Sequence, residues 1–180
     1  MNKKFAILFI GIAIILTGIF LTVYTVSQQA YRMSANDPQI QLAEDTVNQL
    51  NNGLLPKSLA MPQKIDLEKS IAPFIIIYDI AGQPLVSSAS LNSQTPILPQ
   101  GVFDYVKKYG EDRLTWQPAS TVREAIVVKS FNAGFVLAGR SLLEVEKRES
   151  QLTYMVGLAW LSSLIVLVCT GILLRPKAVK

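Results

Sequence analysis

FIIIYDIAGQPLVSS, residues 74–88, sets the fold class of this chain. Phe74 to Tyr78 is wholly apolar and β-branched, with no alternation, the pattern of a strand buried on both faces. Asp79-Ile80-Ala81-Gly82 has turn composition, and Gln83 to Ser88 is expected to return as the hairpin partner. Asp79 suits a side chain that bonds the turn's own amides, a structural duty rather than a chemical one.

Downstream, a polar stretch with Pro96 and Pro99 leads to Gln100–Tyr109. There Val102, Phe103 and Val106 predict a short amphipathic helix ended by Gly110. Three strands are expected next, Arg113–Gln117, Val122–Lys129 and Gly134–Gly139, spaced as in an antiparallel meander. Ser141-Leu142-Leu143-Glu144 is a capping box that opens a last helix. Thr121-x-x-Glu124 has the same spelling inside an expected strand. From Leu142 the apolar stripe Leu142, Val145, Leu152, Val156 and Ala159, interrupted by Glu149, meets no Pro and no Gly before Gly157. One stiff helix is expected to run from the sheet onward.

Upstream, Ser34-Ala35-Asn36-Asp37-Pro38 reads as a helix start, with Asp37 at the N-cap and Pro38 at the first helical position. Ile40, Ala43, Val47 and Leu50 form one face, Gly53 caps the end, and a linker with Pro56 and Pro62 follows. The expected fold is α+β, a five-stranded antiparallel sheet with a long N-terminal helix.

Outside this core lie two charge-free blocks. Phe5 to Val26 is FAILFIGIAIILTGIFLTVYTV, and Tyr154 to Leu174 is YMVGLAWLSSLIVLVCTGILL. As helices each would be roughly 32 Å long, matching a hydrocarbon core of about 30 Å. The first block exceeds the apolar region of a cleaved signal and has no small-x-small cleavage pair after it, so an uncleaved anchor is expected. Lys3 and Lys4 precede the first span; Arg175, Lys177 and Lys180 follow the second. Neither tail has an acid, so tails 1–4 and 175–180 are expected in the cytoplasm, spans 5–26 and 154–174 in the inner membrane, and domain 27–153 outside. Lys147 and Arg148, on the outer flank of the second span, run against that rule. The charge of +4 belongs to these flanks and suggests no nucleic-acid surface.

Composition also narrows the chemistry. There is no histidine, which removes histidine-dependent triads and the commonest metal ligand. The single cysteine, Cys169, lies in the second span, so no disulfide forms within the chain. There is no nucleophile-plus-base motif, no phosphate loop and no metal spacing, so neither an enzyme nor a cofactor protein is expected.

The order span, helix, two strands, helix, three strands, helix, span resembles a bacterial two-span receptor with a single Cache domain, the extracytoplasmic PAS-like sensor family. The resemblance is carried by the helix at Pro38, by residues 74–88 and by Phe135-Val-Leu-Ala-Gly139-Arg140-Ser141. It implies a small-ligand pocket between the sheet and helices on one face. Such receptors continue past the second span into an output domain, whereas here six residues follow Leu174. The resemblance therefore implies a sensor's input half.

In that frame Tyr78, Trp116, Arg123 and Arg140 are the ligand-binding candidates, the arginines suited to a carboxylate or another anion. The structural alternative packs Trp116 in the core and pairs the arginines with surface acids. The family's amino-acid-sensing branch uses a Tyr followed by Arg-x-Trp-Tyr. Tyr109, Arg113 and Trp116 do not reproduce that spacing, and nothing is carried over from it. Lys107-Lys108 reads as a solvated helix surface, and the adjacent Glu44 and Asp45 do not share a helix face. In the spans, Gly11 with Gly18 and Ala159 with Ser163 are candidates for close helix packing.

Two functions follow. One is a membrane-anchored sensory or regulatory module that signals through its spans to a partner membrane protein, a kinase or transporter subunit, or to a second copy. The other is an accessory protein that uses the domain only as a docking surface. Nothing in the sequence separates them.

Overall fold

The computed structural model describes residues 3–60 and 63–174. Pro62 of the linker, Met1 and Asn2 of the first tail, and all of the tail 175–180 lie outside the described residues. So does the side chain of Asp37, and with it the expected N-cap.

In chain order the elements are α1 (Lys3–Asn51), a 3₁₀ turn (Pro56–Leu59), β1 (Ile65–Asp66), β2 (Phe74–Asp79), β3 (Pro84–Ser87) and β4 (Ala89–Ser90). They continue with α2 (Gln100–Tyr109), β5 (Glu111–Ala119), β6 (Val122–Phe131), β7 (Gly134–Ser141) and α3 (Leu143–Leu173). They group into two compact units, Met33–Glu146 and the pair Met1–Arg32 with Lys147–Lys180.

The first helix departs from expectation. No new helix starts at Pro38; α1 is continuous and holds Pro38 inside it. Ser27 to Asp37 contains neither Gly nor Pro, so nothing stops the helix before the proline. A proline there removes one i→i−4 bond, a cost that a helix packed on a sheet can absorb.

In the Met33–Glu146 unit five strands form one antiparallel sheet in the order β3-β2-β7-β6-β5. The fold is therefore α+β, as expected. Successive side chains alternate between its faces. Ala43 and Leu50 of α1 cover one face, against Ile75, Ile77, Val127, Val136 and Ala138. Phe103 and Val106 of α2 cover the other, against Phe74, Ile76, Tyr78, Val128, Phe135 and Leu137. This double cover is why residues 74–78 are apolar throughout. Lys129 ties α1 to the sheet, its Nζ lying 2.7 Å from Glu44 and 2.9 Å from Glu111.

The turns follow from their residues. Asp79 Oδ1 accepts the N–H groups of Ala81 (2.9 Å) and Gln83 (2.8 Å), the role the sequence suggested. Gly82 sits at φ 79°, in the left-handed region, and a Cβ there would meet the Phe103 ring at 2.9 Å. Pro118 does not end β5, which runs on to Ala119 because it is an edge strand where a missing donor costs no ladder bond. At α3 the Ser141 hydroxyl accepts the N–H of Leu143 at 3.3 Å, but the first helical bond runs from the Glu146 N–H to the Leu142 carbonyl, so Leu142 rather than the expected Ser141 is the N-cap.

Ser88 closes a gap in the ladder. Its Oγ accepts the Ile75 N–H at 2.8 Å and its hydroxyl donates to the Ile75 carbonyl at 3.1 Å, all fully buried. Ser88→Ala is expected to cost about 2 kcal/mol, because a buried amide loses its partner. A lowered thermal midpoint reports it.

In the other unit, contacts between α1 and α3 climb one helix while descending the other, as antiparallel helices require. Phe9 lies against Gly171, the Trp160 indole N–H donates to Thr17 Oγ1 (3.1 Å), and Thr153 Oγ1 lies 3.2 Å from Tyr24 Oη. Arg32 Nε pairs with Glu149 at 2.8 Å. Both helices are long and apolar enough to cross a membrane, over Ala6–Asn51 and Leu143–Leu173, and nothing in their most apolar stretches is buried. Ile7, Ile14, Val166 and Ile172 are among the exposed side chains. A surface this apolar is consistent with a two-pass membrane protein.

Candidate functional site

The site worth attention lies on the α2-covered face of the sheet, toward the β5–β6 edge. β5 and β6 put Trp116 opposite Glu124, and β6 and β7 put Glu124 opposite Ser141. Directly paired antiparallel residues share a face, so Trp116, Glu124 and Ser141 form one row across three strands. Val122 and Ile126 flank Glu124 along β6 on that same face and belong to its core.

Glu124 is fully buried, and neither carboxylate oxygen has a hydrogen-bond partner among the described residues. Burial among apolar side chains penalises the charged form and pushes its pKa up to about 8, so the group is a neutral acid at pH 7. Even neutral, a buried polar group without a partner costs on the order of 1–3 kcal/mol.

A cleft of about 200 Å³ opens beside this row. Its walls include Leu67, Val122 and Ser141. Charged groups at the cleft are Glu68, Lys69, Arg123 and Glu146. Arg123 at the start of β6 is ion-paired with Glu146 in the first turn of α3. Its guanidinium is thus already engaged, though half exposed.

The structure distributes the sequence candidates unevenly. Trp116 is in the core row just described and almost fully buried. Tyr78 shares that face but lies in the middle of the sheet, fully buried, edge-on to Phe103 with ring centroids 5.1 Å apart. Its hydroxyl donates to the Pro96 carbonyl at 3.3 Å, and burial raises its pKa well above the usual phenol range. Arg123 lines the cleft. Arg140 does not join them: it pairs in register with Ala125 and, next to Gly139 and Ser141, takes the α1-covered face. Glu124, which the candidate set omits, becomes the most unusual group in the unit. The available signal was an acid at inward parity in Val122-Arg-Glu-Ala-Ile126.

In the helical unit, a Cβ added at Gly11 or Gly18 would meet nothing within 4 Å. Ala159 is exposed, and the Ser163 hydroxyl donates back to the Trp160 carbonyl at 2.7 Å. Among the described residues no three acidic or cysteine side chains gather as a metal site.

No family model matches the chain, and no curated protein and no solved structure matches it either.

Proposed function

We propose that this protein is a membrane-anchored sensory or regulatory module. Its central domain takes up a small ligand outside the cytoplasm and passes the bound state through the two helices to a partner membrane protein. The observation that carries the reading is Glu124: a fully buried carboxyl with no partner, beside a cleft, is the kind of group that a binding site retains and a plain core does not. The α+β domain between two apolar helices agrees with the PAS-like Cache resemblance, whose pocket lies on one face of the sheet. α3 leaves that domain within two residues of Ser141, so a change at the row has a short path into the second helix.

A second reading, the accessory protein that only docks, draws support from the tight packing of Tyr78 and Trp116 in the core. A thermal-shift screen of the full chain in lipid nanodiscs separates the two. Amino acids, carboxylic acids, amines and purines are the panel. A ligand at a hundredfold excess over its Kd adds about 2.7 kcal/mol and shifts the midpoint by several degrees. A saturable hit in any one class supports the sensor. A folded chain with no hit in any class favours the docking surface.

A further inference from the structure

Resting on that sensory reading, the geometry points to a ligand class: Glu124 and Trp116 form the recognition floor for a small organic ammonium ion admitted through the adjacent cleft. Three observations converge. Glu124 is an acid with both oxygens unpartnered and no exposed surface, so it is built to meet a group that the protein does not supply. A cation satisfies such a carboxylate more fully than any neutral group, through charge-assisted hydrogen bonds. Its direct neighbour across β5 is Trp116, and an indole face is the strongest side-chain partner for a desolvated cation. The cleft of about 200 Å³ is below the size of pockets that take drug-sized molecules, so the guest is small.

Other guests fit less well. An anion would meet a buried acid while Arg123 is held by Glu146 and Arg140 faces the opposite side. An inorganic cation would need several oxygen ligands, and the row offers one carboxylate. Neither Glu124 nor Trp116 itself walls the cleft; both lie behind Val122 and Ser141, which bracket Glu124 along and across the sheet and do wall it. Binding therefore includes a turn of the Glu124 side chain toward Ser141, with its proton passing to solvent as the ammonium takes its place.

The test uses the full chain in phosphatidylglycerol nanodiscs, whose headgroups carry no ammonium, with Trp160→Phe, which leaves Trp116 as the single tryptophan. Choline, tetramethylammonium and butylamine are titrated against 3,3-dimethylbutanol, the uncharged isostere of choline, and against butyrate. The cations are expected to give a saturable change in Trp116 emission, weakened at least tenfold by Glu124→Gln and unchanged by Lys108→Ala on the exposed face of α2. Equal binding of the neutral isostere, or cation binding that survives Glu124→Gln, overturns the ammonium site. Binding of butyrate or another class alone overturns it too, yet leaves a ligand-sensing domain. Silence across every class removes both.

Discussion

Glu124→Gln is expected to raise the stability of the sheet domain by about 3 kcal/mol at pH 7, an unusual direction for a change at a fully buried position. The sign follows from linkage. The Glu124 carboxyl titrates near the ordinary 4.5 when unfolded and at about 8 when folded, because burial disfavours its charge. Between those values the folded state holds a proton that the unfolded state has lost, so stability falls as pH rises, by about 1.4 kcal/mol per unit. The contribution is intact below about pH 4.5 and fully lost above about 8. Glutamine keeps the shape without the titration, so the variant's profile is flat across that window where the native one slopes. Thermal midpoints from pH 4.5 to 8.5, followed at Trp116 in the Trp160→Phe background, are expected to diverge by about 10 °C near neutrality. Parallel profiles would mean that Glu124 finds a partner or solvent in solution.

Phe103→Ala is expected to cost about 4 kcal/mol, the largest loss among single truncations considered. Phe103 is the residue that seats α2 on the sheet. It is buried, its ring lies 5.1 Å from both Tyr78 and Phe135 by centroid, and it sets the spacing at Gly82. Removing it leaves a cavity over β2 and β7, whose packed backbone cannot collapse to fill it. Tyr105→Ala, two residues on and on the exposed face of α2, is expected to change stability by less than about 1 kcal/mol. Thermal unfolding of the two variants under the same conditions reads the contrast. Similar losses would place α2 differently on the sheet.

Much of this architecture is legible without coordinates. Phe74-Ile-Ile-Ile-Tyr78 announces a strand covered twice, and α2 runs over Gln100–Tyr109 as its apolar spacing predicts. Local chemistry fails where context overrides it. Pro38 spells a helix start, but a helix already under way from Lys3 passes through it. The parallel pairing of β1 with β4, two residues each, has no length over which a period could be seen. At the site, parity within β6 marks Glu124 as inward, yet its lack of a partner depends on strands 8 and 17 residues away meeting it in register. The same register separates Arg140 from Trp116, a distinction that no single strand contains.

The proposed function requires a water-exposed domain outside the cytoplasm carried by two spans, and cysteine labelling reads that placement. With Cys169→Ser removing the native thiol, Lys108→Cys on the exposed face of α2 and Ala178→Cys beyond the second apolar helix supply one probe each. Intact bacterial cells are treated with a membrane-impermeant maleimide small enough to pass an outer membrane. Lys108→Cys is expected to be labelled in intact cells and Ala178→Cys only after lysis. Labelling of Lys108→Cys only after lysis would place the domain in the cytoplasm and overturn the extracytoplasmic sensor.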